Sequence, residues 1–71
     1  MQFELNKLKG RIKEKGYTQE DTARYLNIAP STFSIKINGT AFFSQDEIYK
    51  LATFLQVPNE KYGEYFFTPK V

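Results

Sequence analysis

An all-α fold is predicted by three features of this 71-residue chain. Two stretches open with a hydroxyl residue followed three positions later by a carboxylate, Thr18 with Asp21 and Ser44 with Glu47, each ahead of apolar residues at helical spacing. Between them Asn27, Pro30 and Asn38-Gly39 supply residues that stop and restart helices. The length allows a single domain over residues 1–71, with a core small enough that self-association is expected.

Gln2-Phe3-Glu4-Leu5 alternates polar and apolar side chains, which suits a short extended segment. Asn6 then serves as N-cap for a first helix over residues 7–15, with Leu8 and Ile12 inward, Leu5 packing back as a staple and Gly16 closing it. Gly10 inside that helix costs roughly 1 kcal/mol relative to Ala. Tyr17 is placed to staple the next helix, which Thr18 caps and which buries Thr22, Ala23 and Leu26 while turning Glu20, Arg24 and Tyr25 outward. Asn27 tolerates the left-handed backbone needed at a tight corner, and Ile28 points back into the core. Pro30 suits the first turn of a third helix, residues 30–38, with Phe33 and Ile37 inward. Ser31, Thr32, Ser34 and Ile35 lie off its buried stripe, on a rod about 12 Å long.

In the loop that follows, at least one of Phe42 and Phe43 is expected to plug the core. The Ser44 box starts a fourth helix that reaches about residue 56 and buries Ile48, Leu51, Ala52 and Leu55, until Val57-Pro58 breaks it. A fifth, short helix is placed at about residues 59–63. The remaining tail is aromatic and ends in alternation, so it reads as extended. The two extended ends either pair with each other or send the tail to a second subunit.

Composition excludes several functions. Without cysteine there are no disulfides, thiolate metal sites or thiol nucleophiles, and without histidine the commonest general base and imidazole ligand are missing. Capping accounts for Asp21, Asp46 and Glu47, no glycine run cradles phosphate, and Ser31 and Ser34 lack a base. A non-enzyme with no cofactor and no metal is the expectation. No apolar run approaches a membrane span and no signal pattern opens the chain, so a cytoplasmic protein is expected. Five cations, Lys7, Lys9, Arg11, Lys13 and Lys15, stand against Glu4 and Glu14 in residues 1–15. Such clustering suits phosphate contact or a solvated helix face.

The run YTQEDTARYLNIAPSTFSIKINGT resembles the helix-turn-helix of phage repressor and Cro proteins, the XRE-like family, and SQDEIYKLATFLQV continues the likeness through the family's following helix. The resemblance spans about residues 6–57 and implies a five-helix lambda-repressor-like domain. Asn27 stands where the family usually has Gly. Lys36 replaces an apolar core residue, so Ile37 is expected to take over the packing while Lys36 snorkels outward.

The resemblance implies a transcriptional regulator that binds a double-stranded phage or prophage operator as a homodimer, with the third helix in the major groove. Ser31 and Thr32 would reach base edges, and Ser34 and Ile35 would face the groove, Ile35 against a thymine methyl. Gln19 matches a phosphate-contacting family residue, and Lys36, Asn38 and Thr40 are further candidates for the backbone. The dimer surface is predicted at Tyr62, Tyr65, Phe66 and Phe67. The alternative is a protein-interaction module or antitoxin-like regulator that uses the Phe42-Phe43 loop and the aromatic tail.

Overall fold

Regular structure in the computed structural model, which describes residues 3–69, is entirely helical. Helix α1 spans Asn6–Glu14, α2 Gln19–Leu26, α3 Pro30–Ile37 and α4 Gln45–Leu55; a 3-10 turn, Asn59–Lys61, leads into the short α5, Tyr62–Phe66. Gln2, Lys70 and Val71, parts of the expected extended ends, lie outside the described residues. No helix among the described residues is long and apolar enough to cross a membrane.

The core is assembled from one stripe per helix. Leu8 and Ile12 of α1, Ala23 and Leu26 of α2, Phe33 and Ile37 of α3, and Leu51, Ala52 and Leu55 of α4 are all buried, and Leu5, Val57 and Phe66 close the edges. Each large side chain so buried contributes about 1.5–3 kcal/mol. Thr22, also sealed from solvent, keeps its hydroxyl satisfied by donating to the Thr18 carbonyl at 2.9 Å.

Both expected capping boxes form. The Thr18 hydroxyl accepts from the Asp21 N–H and the Asp21 carboxylate from the Thr18 N–H, each at 3.0 Å. At α4, Ser44 and Glu47 exchange the same bonds at 3.1 and 2.8 Å. Asn27 turns the α2–α3 corner at φ 60°, ψ 42°. Gln56 adopts the same left-handed conformation after α4, so the helix stops one residue ahead of Val57-Pro58. Arg11 reinforces that end: its guanidinium donates to the carbonyls of Leu55 at 3.0 Å and Gln56 at 3.3 Å, setting a positive charge against the negative pole of α4.

Two expectations are corrected, and a third is met in reduced form. Asn6 does not cap α1: it is the first helical residue, Leu5 occupies the cap position, and the Glu4 carboxylate takes the Asn6 N–H. The charge-assisted bond to Glu4 holds the Asn6 N–H as one of the first-turn donors of the helix, which starts the helix one residue earlier. Tyr65 and Phe66 are helical rather than extended, because α5 must turn Phe66 into the core. The ends do meet, but only through one antiparallel bridge between Phe3 and Pro69, with the Glu4 N–H donating to the Thr68 carbonyl at 2.8 Å.

Candidate functional site

Two surfaces stand out, and different forces build them. The first is the outer side of the α2–α3 pair. Asn27 and Pro30 force the turn between these helices, while Ala23, Phe33 and Ile37, all fully buried, hold α3 against the body. With those residues inward, Ser31 and Thr32 are exposed, Ile35 is 50 % exposed and Ser34 is half-buried. Gln19, at the start of α2, and Thr40, beyond α3, are also exposed. Asn38 is not idle: it accepts from the Lys9 ammonium at 2.9 Å and donates to the Ser34 hydroxyl at 3.4 Å.

The cations around this surface are already engaged. Lys36 does snorkel, but its ammonium lands on both oxygens of Glu47, at 2.7 and 2.9 Å. The pair is only 20 % and 14 % exposed, so as a phosphate ligand Lys36 would have to leave a sheltered carboxylate. That pairing has a simple cause, since Glu47 must also close the α4 capping box and so is anchored beside α3. Burial pushes the Glu47 carboxyl up, yet the hydrogen bonds from Lys36 and Ser44 outweigh it and hold the group below its ordinary value. On α2, Arg24 lies 3.5 Å from Asp21. Asp21 is likewise held low, chiefly by the Thr18 N–H and hydroxyl.

The cationic first helix behaves the same way. Lys7 pairs with Glu64, Lys9 with Asn38, Arg11 with the end of α4 and Lys15 with Gln56, which leaves Lys13 as an exposed charge. Part of the clustered charge in the sequence thus ties elements of the fold together, while Lys9 and Lys15, bonded to neutral amides, keep their positive charge uncompensated.

The second surface is aromatic and joins three segments far apart in sequence. The Phe3 ring meets Phe42 edge-on at 5.7 Å and Phe67 at 5.6 Å. Phe42 is 64 % exposed and Phe67 46 %. Phe43, in contrast, turns inward to Phe33 at 5.8 Å, so one ring of the loop plugs the core and the other does not. Between these rings lies an apolar pocket of about 130 Å³, floored by Leu5, Ile48 and Phe66 and bounded by Gly39, Ala41 and Phe43. Gly39 makes the close approach possible. Its φ of +84° is left-handed, and a Cβ there would sit 2.5 Å from the Phe3 carbonyl oxygen.

The expected dimer residues divide between inside and outside. Phe66 is 3 % exposed and belongs to the protomer's own core, which removes it from any outer surface. Tyr62 is half-buried and packs edge-on against Phe66 at 5.9 Å, and Tyr65 lies half-buried under the Lys7 ammonium, 5.8 Å from its ring centre. Phe67 alone of the four is open. Sequence reading overlooked Phe3 as the hub of the patch; its place in an apolar, alternating end segment was the available signal.

The family described as "Protein of unknown function (DUF739)" matches residues 1–69. The chain belongs to that family. It is also similar to a solved structure, the solution structure of the modulator of repression (MOR) of the temperate bacteriophage TP901-1 from Lactococcus lactis, with 32 % identity and a TM-score of 0.79 over 100 % of this chain and 96 % of that one. No curated protein matches it in sequence. The chain is thus similar, end to end, to a protein named a phage modulator of repression, and its regular structure among the described residues is helical.

Proposed function

We propose that this protein is a phage regulator, not an enzyme, which modulates repression in the host cytoplasm by binding another protein, a repressor, on the helix-turn-helix scaffold. The observation that carries this reading is the Phe3–Phe42–Phe67 surface, where Phe42 stands 64 % exposed beside an apolar pocket. Contiguous exposed apolar surface of this kind marks a protein contact. Its likeness to a protein named a modulator of repression supplies the partner class. Engagement of Lys36 by Glu47 argues the same way, because duplex affinity comes mainly from cations that meet phosphates.

A second reading, an operator-binding dimer, draws support from the exposed Ser31, Thr32 and half-exposed Ile35 on α3. In that reading these side chains meet bases, with Gln19, Asn38 and Thr40 on the backbone. One experiment separates the two. Titration calorimetry with the purified repressor of the same phage is expected to give a complex, and a gel shift with operator DNA over a salt series is expected to show no specific retardation. Competitor-resistant, steeply salt-dependent DNA binding without repressor binding would establish the second reading instead.

A further inference from the structure

We infer that the pocket ringed by Phe3, Phe42 and Phe67 receives one apolar side chain, of leucyl or phenyl size, projected by the partner protein. This rests on the partner-binding reading above and assigns the anchor point within it. The pocket measures about 130 Å³ and its lining is predominantly apolar, with Leu5, Ile48 and Phe66 among the lining residues. Apolar cavities of roughly 150 Å³ stay dry and take up benzene, so this volume suits one ring or branched alkyl group and is too small for a helix face with several anchors. A group that fills it gains the contacts that the lining atoms lack while the pocket is empty.

A second copy of the chain is the poorer donor. Phe42 and Phe67, its exposed phenyl rings at this surface, are themselves the pocket's walls and each leans edge-on against Phe3, so sending either into another copy would dismantle the pocket it leaves. Tyr17 and Tyr25 are stacked flat on Phe54 at 4.3 and 4.2 Å. The remaining exposed ring among the described residues, Tyr49, carries a hydroxyl that a predominantly apolar pocket disfavours. Among the described residues Ile35 remains as the exposed aliphatic side chain of a second copy, so self-association that Ile35→Ala abolishes and toluene displaces would overturn the assignment of the donor to a different protein.

The test has two arms on the full chain. First, toluene is titrated while the methyl carbon signals of Leu5 and Ile48 are followed by NMR. Saturable shifts are expected at both, and their absence overturns the inference whatever the partner does. Second, repressor affinity is measured for the unaltered protein, for Phe42→Ala, which removes an exposed wall, and for Ala41→Leu, which fills the space from within. At least a tenfold loss is expected in both variants with circular dichroism unchanged, along with displacement of the repressor by excess toluene. A tight complex that both variants preserve would overturn the pocket assignment and leave the partner reading standing. If toluene enters but the unaltered protein binds no repressor, the partner reading is lost and the anchor assignment with it.

Discussion

Lys36 on α3 donates to both carboxylate oxygens of Glu47 on α4, while the same carboxylate accepts the N–H of Ser44 at 2.8 Å. One side chain thus closes a helix cap and fixes the tilt of the neighbouring helix. Because the folded-state pKa of Glu47 is depressed, its contribution is fully present above the ordinary glutamate value of about 4.3 and is lost as pH falls through the lower folded value. Asp21 adds to stability in the same sense. Thermal melts between about pH 3 and pH 7 should therefore show a Tm that drops on the acid side. Glu47→Gln should flatten that drop and lower stability at neutral pH by about 1–2 kcal/mol. An unchanged acid limb in the variant would count against the ion pair as its source.

Gly39→Ala should be the most costly of the glycine-to-alanine changes. The left-handed backbone strains any side chain by about 1 kcal/mol or more, and the new methyl would meet the Phe3 carbonyl at 2.5 Å. A total destabilisation of about 2–3 kcal/mol in urea unfolding is expected, with faster hydrogen exchange at Glu4, whose N–H depends on the same end segment. Gly10→Ala, with open space at its Cβ position, should instead stabilise α1 by up to about 1 kcal/mol.

Phe54 is sandwiched between Tyr17 and Tyr25, with interplanar angles of 25° and 24°. Replacing Phe54 by Ala should cost about 2 kcal/mol, from reduced apolar burial and from the removal of two ring pairs worth about 0.5–1.5 kcal/mol each. A double-mutant cycle between Phe54 and Tyr25 isolates one pair; a coupling near zero would reduce the stack to simple burial.

For the α3 surface, two substitutions separate base reading from idle exposure. If α3 reads an operator, Ser31→Ala with Ile35→Ala should reduce discrimination against random DNA by about 1–3 kcal/mol for each base interaction removed, whereas Gln19→Ala should weaken all sequences alike. Equal weakening on both DNAs by the double variant would remove the base-reading role. No change in any of these, together with abolished repressor binding in Phe42→Ala, is the pattern expected from a protein-binding regulator.

What the sequence disclosed was local. Thr18, Asp21, Ser44 and Glu47 announce two helix starts because capping is a three-residue relation, and Asn27 marks the corner because few residues tolerate its backbone. Burial of Leu8, Phe33 and Leu51 follows from periodicity alone. What stayed hidden was the pairing of side chains far apart in the chain. Lys36 reads as an open cation until Glu47, eleven residues on, is set beside it. Arg11 looks like part of a basic face until α4 ends under it, 44 residues away. Phe66 and Phe67 are adjacent and chemically identical, and only the direction of α5 makes one a core residue and the other a surface ring. The pocket is the extreme case, since its walls come from both ends of the chain and the middle.

The ring stack on α2 and α4 also gives the protein an optical label of its own. With no tryptophan among its 71 residues, near-ultraviolet dichroism must come from tyrosine and phenylalanine. Tyr17 and Tyr25, stacked on Phe54, give the tyrosine band a component that reports how firmly α2 sits on α4. The sharper phenylalanine lines draw on the Phe3, Phe42 and Phe67 cluster. The difference spectrum between the unaltered protein and Phe54→Ala then isolates the share of the stack, and loosening of the helix pair can be followed there without attaching a dye.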